Sequence, residues 1–113
     1  MNDRDYKALK KITAEALMIS EMVSGFDCET FLQDEKTKRA VCMTIINIGE
    51  LVKVLSDEFR SKYVSIPWRK IAGMRDIAAH GYQTLQMKDI WETAVTYIPQ
   101  LLENINSILK SEK

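Results

Sequence analysis

The stretch that decides the fold is EKTKRAVCMTIINIGELVKVLSDEFRSKY, residues 35–63. Its apolar residues recur every three or four positions, which is the period of an α-helix with a buried face. The main stripe consists of Val41, Ile45, Ile48, Val52, Leu55 and Phe59. A second set widens the stripe: Met43, Ile46, Leu51 and Val54. We therefore predict one long helix from Glu35 to Tyr63, buried on one side by its own core and on the other by a partner chain.

The segment before this stretch has the same helical period. Apolar residues predict a first helix over residues 4–23, and Gly25 is a plausible stop signal for it. Asp27 has the character of an N-cap for a short turn, and Asp34 that of an N-cap for the long helix. The chain thus enters the long helix directly from a short capped turn.

The segment after the long helix is helical as well. Pro67 suits the first turn of a further helix, which we expect to fray at Gly81. A last helix begins near Met87 and should kink at Pro99. Strand-like alternation is absent. The sequence therefore predicts an all-α fold, an up-and-down bundle of four to five helices in a single domain over residues 1–113.

Composition limits the possible functions. Lysine and arginine together number 16, as do aspartate and glutamate, so no overall basic field favours nucleic acid and any RNA contact must be local. Two cysteines and one histidine form no zinc pattern, and we expect neither a metal nor a cofactor. No apolar run approaches the roughly 18 residues of a membrane span, and no secretory signal is evident. We expect a cytoplasmic protein that does not contact a membrane.

The stretch MRDIAAHGY, residues 74–82, is the candidate functional motif. It contains the only histidine, His80, together with Arg75, Asp76 and Tyr82. A neutral imidazole moves protons near pH 7, and a guanidinium can hold a phosphate through two hydrogen bonds. The combination indicates chemistry on phosphodiesters. The alternative is a packed histidine near a helix end and a solvated surface arginine.

Helical geometry predicts that one chain holds only part of a site. Asp76 and His80 are four residues apart and share a helix face, where the carboxylate can orient the imidazole. Arg75 lies about 140° around the axis from His80. Two copies paired along the wide apolar stripe would bring two arginines and two histidines to one cleft. We therefore predict a homodimer.

Such a cleft suits RNA cleavage without a metal ion. The ribose 2′-hydroxyl attacks its own phosphate once a base removes the proton, and nearby donors stabilise the phosphorane. His80 is the candidate base or acid, Arg75 the candidate phosphate holder, and Asp76 the residue that tunes the histidine. The alternative for Asp76 is an ordinary surface carboxylate.

Two polar residues interrupt the apolar part of the long helix. Asn47 and Glu50 are three positions apart, so both fall on one side of that helix. Glu50 is a candidate to pair with Arg75 or to line the cleft. The alternative for both residues is an exposed stripe at the edge of the bundle.

The pattern Arg-x-x-x-x-His-x-Tyr resembles the signature of the HEPN superfamily, specifically of HepT-like toxins paired with MntA-type nucleotidyltransferase antitoxins. Further similar segments occur in the same order across most of the chain: DEKT at 34–37, NIGE at 47–50, IPWR at 66–69 and GMRD at 73–76. Together these segments make the resemblance specific.

This resemblance implies a homodimeric helical bundle with a composite ribonuclease site at the dimer cleft. The motif residues that match are Arg75 and His80 for RNA cleavage without metal, with Asp76 in support. Tyr82 matches the tyrosine to which the antitoxin transfers AMP from ATP. The implied partners are RNA, a second copy and a cognate nucleotidyltransferase. The competing hypothesis is a non-catalytic helical module that binds a nucleotide or a partner nucleotidyltransferase in the same cleft.

Overall fold

The chain folds into α-helices. The computed structural model describes residues 1–81 and 86–112, with side chains for 1–79 and 86–112. The helices in this part are α1 (Asp3–Val23), α2 (Cys28–Gln33), α3 (Glu35–Val54), α4 (Asp57–Lys62), α5 (Trp68–Gly81), α6 (Met87–Glu92) and α7 (Ile98–Ser111). The prediction of an all-α bundle is confirmed. The helix count exceeds the expected four to five because α2 and α4 are separate short helices and the last helix is divided.

Local capping residues set where α2 and α3 begin. The Asp27 carboxylate accepts a hydrogen bond from the Thr30 backbone N–H at 2.8 Å, and the Thr30 hydroxyl accepts one from the Asp27 N–H at 2.9 Å. Asp34 caps α3 in the same way, by accepting from the Thr37 N–H at 3.0 Å. Gly25 follows the end of α1 with φ of 84°, a left-handed conformation that glycine adopts without strain. These predicted boundaries are confirmed.

The prediction of one helix over residues 35–63 is wrong in its last third, because α3 ends at Val54. The backbone N–H and the hydroxyl of Ser56 both donate to the carboxylate of Asp5, at 2.8 and 2.6 Å. Asp5 is only 2% exposed. The Ser56 hydroxyl also accepts from the Phe59 N–H at 3.1 Å and so caps α4. A contact from the first helix therefore stabilises the break.

A π-helical turn lies just before Pro99, where the sequence predicts a kink. Residues Thr93–Tyr97 form this turn, and the N–H of Ile98 donates to the carbonyl of Thr93, five residues earlier. Proline has no N–H to donate to the carbonyl of Val95, so an α-helical bond is missing there in any case. The wider turn accommodates this loss within an otherwise continuous helical segment.

Helix α3 lies at the centre of the bundle, between α1 and α5, while α7 packs on α1 and α6 on α5. The Asp5–Ser56 contact joins the start of α1 to the end of α3, so these helices are antiparallel. The core consists mainly of branched aliphatic side chains, including Leu9, Ile12, Ile45, Ile48, Ile98 and Ile105.

One side of α3 faces away from this core and carries apolar side chains among polar ones. Met43 is 59% exposed and Val54 44% exposed, whereas Ile46 and Leu51 are partly buried. The apolar stripe of the sequence is therefore wide because its residues lie on two sides of one helix, one side buried and the other exposed. Within residues 1–81 and 86–112, no helix combines the length and the apolar character needed to cross a membrane.

Candidate active site on helices α3 and α5

The candidate site begins with a close approach between α3 and α5 at Gly49. A Cβ atom at this position would lie 2.9 Å from the Cβ of Arg75 and 3.1 Å from the carbonyl oxygen of Ala72. Real Cβ atoms essentially never come that close, so glycine is needed for the two helices to pack at this distance. The base of the Arg75 side chain is thereby fixed against α3.

Buried residues of α5 fix its rotation about its own axis. Ile71, Met74 and Ala78 follow the helical period and are 7%, 7% and 1% exposed. Because these residues face the core, the positions between them lie at the surface. Arg75 is therefore held at the edge of the α3–α5 contact, with its side chain 41% exposed.

The guanidinium of Arg75 is held by a carboxylate of the neighbouring helix. Its Nε forms an ion pair with Oε1 of Glu50. Lys53 approaches the same carboxylate oxygen, with its Nζ at 3.6 Å. Of the roles considered for Glu50, the structure shows the pairing with Arg75. Glu50 is also half exposed, so it reaches Arg75 from the surface of the bundle.

Asp76 also contacts the motif arginine. Nη1 of Arg75 donates to Oδ1 of Asp76 at 3.3 Å, and the Asp76 side chain is 78% exposed. Arg75 and Lys53 carry two positive charges, and Glu50 and Asp76 carry two negative charges. The four side chains form a charge-balanced cluster that straddles α3 and α5.

The structure describes only the backbone of His80 and nothing of Tyr82. The backbone of His80 belongs to the last turn of α5, five residues after Arg75, but its side chain lies outside the described side chains. The expected contact between Asp76 and His80 therefore stays a prediction. Tyr82 lies outside the described residues altogether.

Asn47 lies one helical turn before Glu50 on the exposed side of α3. The two residues line a shallow surface groove against α1, with Lys11 and Glu15 on the opposite wall. This groove begins beside the Arg75 cluster and extends away from α5. A role for Asn47 in supporting the cleft stays a prediction.

Sequence reasoning missed two residues of this site, Gly49 and Lys53. Lys53 could have been found, because a lysine three residues after Glu50 is a standard intrahelical partner. Gly49 gave a weaker signal, a glycine inside an apolar helical run. Its importance depends on α5 lying directly above it, which no local pattern encodes.

The donors of Arg75 that Glu50 and Asp76 do not occupy suit an anionic ligand. Arginine carries five N–H donors in a planar fork, and the Glu50 carboxylate meets the Nε edge. Nη1 donates one hydrogen to Asp76, so its second hydrogen and those of Nη2 can bind oxygens of a phosphate. In the part of the chain that the structure describes, no three histidine, cysteine, aspartate or glutamate side chains come together as metal ligands would.

Comparison with known proteins finds matches that all have ribonuclease names. The profile of the family described as "Ribonuclease HepT-like" matches residues 12–108. A protein of Caldanaerobacter subterraneus subsp. tengcongensis named "Putative RNase" is 40% identical over 105 residues, which cover 93% of this chain and 94% of that protein. A "Putative RNase" of Methanocaldococcus jannaschii is 35% identical over 111 residues, covering 97% and 96% of the two chains.

A third relative carries the family name itself. It is the "Probable ribonuclease HepT" of Thermococcus cleftensis, 33% identical over 108 residues, covering 95% of this chain and 98% of the relative. No solved structure gives a significant match. The family profile spans most of the chain, including Gly49, Glu50 and the 74–82 motif. The chain therefore belongs to the HepT-like ribonuclease family of the HEPN superfamily.

Proposed function

We propose that this chain is a ribonuclease toxin that cleaves RNA without a metal ion at a cleft between two copies. One observation carries the proposal: Glu50 holds the Arg75 guanidinium at the bundle surface, five residues before His80 in the same helix. Membership of a family whose relatives have ribonuclease names supports the same conclusion.

Arg75 is the residue that binds the scissile phosphate. The Glu50 carboxylate holds the Nε edge of the guanidinium through an ion pair and Asp76 accepts one hydrogen bond from Nη1, which leaves Nη2 and the second hydrogen of Nη1 to reach phosphate oxygens. Its partial burial against Gly49 restricts the side chain before substrate arrives, so less conformational entropy is lost on binding. The same donors stabilise the additional negative charge of the phosphorane.

His80 is the residue that transfers protons. A base removes the proton of the ribose 2′-hydroxyl, the 2′-oxygen bonds to phosphorus, and the bond from phosphorus to the 5′-oxygen breaks as that oxygen receives a proton. The products are a 2′,3′-cyclic phosphate and a 5′-hydroxyl. Because the nucleophile belongs to the RNA, no step requires a metal-activated water. Asp76 supports the charged form of the imidazole.

A second copy completes the site. Arg75 and His80 are separated by about 140° around α5, so a single helix does not direct both at one phosphate. Met43 and Val54 expose apolar surface on the adjoining helix. A symmetric interface along this surface would bring both α5 helices to the two-fold axis, where one chain supplies what the other lacks.

Tyr82 is the proposed point of control. A cognate nucleotidyltransferase antitoxin would transfer AMP from ATP to its hydroxyl, two residues after His80. The added nucleotide is bulky and negatively charged, so it would block the cleft and compete with RNA for Arg75. Intact-mass measurement after incubation with antitoxin and ATP should show added AMP on the wild type and none on Tyr82→Phe. Addition mapped to Tyr63 or Tyr97 would contradict this assignment.

The nuclease itself is tested with purified protein and labelled RNA in excess EDTA. Wild type should cleave, whereas Arg75→Ala and His80→Ala should each lose about 10²–10⁴ in rate. Arg4→Ala removes another exposed arginine, on α1, and should cleave as wild type does. Inactive wild type would favour a non-catalytic binding module, and loss of cleavage in EDTA would overturn the proposed mechanism.

A further inference from the structure

A groove on the other flank of α5 has the features of a small binding site. It runs between the first half of α5 and the start of α7 and has a volume of about 210 Å³. Its floor is apolar and consists of the buried side chains of Ile71, Met74 and Leu101. A space of this size holds one planar ring system but not a helix, whose diameter is about 10–12 Å.

The rim of this groove is polar and aromatic. Tyr97 is 41% exposed, and Nζ of Lys70 lies 5.0 Å from the centre of its ring. Gln100 and Asn104 are one helical turn apart on α7, and both are exposed along the same rim. The site therefore offers an aromatic ring, a cation and two amide groups that can both donate and accept hydrogen bonds.

The charge of the groove favours an anionic ligand at one end. No carboxylate is among its described lining residues, and Lys70 is its one cation. Asp89 and Glu92 line the adjoining groove, on the α6 side of Tyr97. An anion is therefore attracted by Lys70 but repelled from the α6 side, so it should lie towards Gln100.

We propose that this groove binds a nucleobase of single-stranded RNA, with Tyr97 as the stacking surface. An aromatic side chain stacks on any base, and amides pair with the polar edges of bases. Lys70 would contact the phosphate of the same nucleotide. This inference rests on the proposed ribonuclease function, because it assigns the groove to an RNA whose scissile phosphate lies at Arg75.

The position of the groove relative to the motif supports this assignment. Ile77 of α5 is 39% exposed and lies beside Tyr97 and Lys70 in the adjoining groove. One residue earlier, Asp76 belongs to the charge cluster of Arg75. The two sites therefore lie on different flanks of one helix, with Lys70 about 140° around α5 from Arg75, and an RNA strand that crosses α5 past Asp76 and Ile77 would reach both.

The test measures binding separately from cleavage. A fluorescein-labelled single-stranded RNA is titrated with the cleavage-deficient His80→Ala chain, alone and combined with Tyr97→Leu, Tyr97→Phe or Tyr6→Leu. Base stacking by an aromatic residue contributes enough to predict about 5- to 10-fold weaker binding for Tyr97→Leu. Tyr97→Phe keeps the ring and should bind as the parent does. Tyr6 is an exposed tyrosine of α1, so Tyr6→Leu is the matched control.

A second measurement does not depend on nuclease activity. Nucleoside monophosphates added to the wild-type chain should shift the side-chain amide NMR signals of Gln100 and Asn104. Equal RNA binding by all variants, with no amide shifts, would overturn the base site even if wild type cleaves RNA. Amide shifts in a chain that cleaves no RNA would instead contradict the proposed function and retain the binding site. If Tyr97→Leu changed only the oligomeric state, the groove would be a contact between copies and the inference would be wrong.

Discussion

Replacing Gly49 by alanine should weaken the packing of α3 on α5. The added Cβ would lie 2.9 Å from the Cβ of Arg75 and 3.1 Å from the carbonyl oxygen of Ala72. Neither atom is the end of a flexible side chain, so the helices themselves must move apart. Overpacking of this kind costs about 1–3 kcal/mol, whereas alanine gains about 0.8–1.0 kcal/mol over glycine in a helix interior. The expected net destabilisation is about 0–2 kcal/mol.

Gly73 provides the matched control. It lies inside α5, and a Cβ there would meet nothing within 4 Å. Gly73→Ala should therefore show only the gain in helix propensity and stabilise the protein by about 0.8–1.0 kcal/mol. Since both substitutions add one methyl group inside a helix, the difference between the two variants isolates the cost of overpacking, about 1–3 kcal/mol.

The assay is equilibrium unfolding in urea, followed by the helical circular dichroism signal. With the slope of the transition unchanged, the difference in midpoints gives the difference in stability. Gly49→Ala should unfold at a lower urea concentration than Gly73→Ala. If the two variants were equally stable, the close approach at Gly49 would not be what positions Arg75, and the reasoning would be refuted.

Three further predictions concern named contacts. Glu50→Gln should lower kcat for RNA cleavage by about 10-fold, because an arginine that is no longer held in place positions the phosphate poorly. The free energy of unfolding should change by less than about 1 kcal/mol, since the ion pair is half exposed. An unchanged kcat would contradict the positioning role. Asp5→Ala should lower the free energy of unfolding, measured in urea, by about 2–3 kcal/mol, because two hydrogen bonds from Ser56 to a buried carboxylate are lost. A decrease smaller than the error of the measurement would count against the contact between helices. Hydrogen bonding from Lys62 lowers the pKa of Glu112 from its ordinary 4.5 to about 2, so its contribution is complete above pH 4.5 and lost as pH falls towards 2. Glu112→Gln should therefore be less stable than wild type at pH 7, with a gap that narrows as the pH is lowered through this range; a constant gap would speak against the charge.

Features set by neighbouring residues could be predicted from the sequence. The Asp27 cap forms within three residues, through Thr30, and the Asp34 cap forms in the same way. The apolar period gave the helices and the core residues of α3, because helical burial depends on spacing along a single segment. The candidate motif was also visible, since it occupies one short stretch of α5.

Features that depend on distant residues could not be predicted. The break after Val54 requires a hydrogen-bonded partner for Ser56, and that partner, Asp5, is 51 residues away. Without it, the apolar stripe continues through Phe59 as if the helix were unbroken. Pro99 signalled an irregularity in the last helix, but not that it would be a π-helical turn.

In the candidate site, too, local spacing could be predicted, whereas the contact between two helices could not. Spacing placed Glu50 on one side of α3 and left open whether it pairs with Arg75 or lies on an exposed stripe; only the packing of α5 on α3 decides that it reaches Arg75. That packing depends on Gly49, which has no side chain to reveal a role in a sequence pattern. The relation of Asp76 to His80 stays a prediction from helical spacing.

The chemical ends of RNA fragments test the central claim most directly. Purified wild-type protein is incubated with a defined RNA oligonucleotide in EDTA, and the products are identified by mass spectrometry. Attack by the ribose 2′-hydroxyl at the Arg75–His80 site predicts fragments with 2′,3′-cyclic phosphate and 5′-hydroxyl ends, and no such fragments with His80→Ala. Intact RNA, or fragments with 5′-phosphate ends, would contradict it.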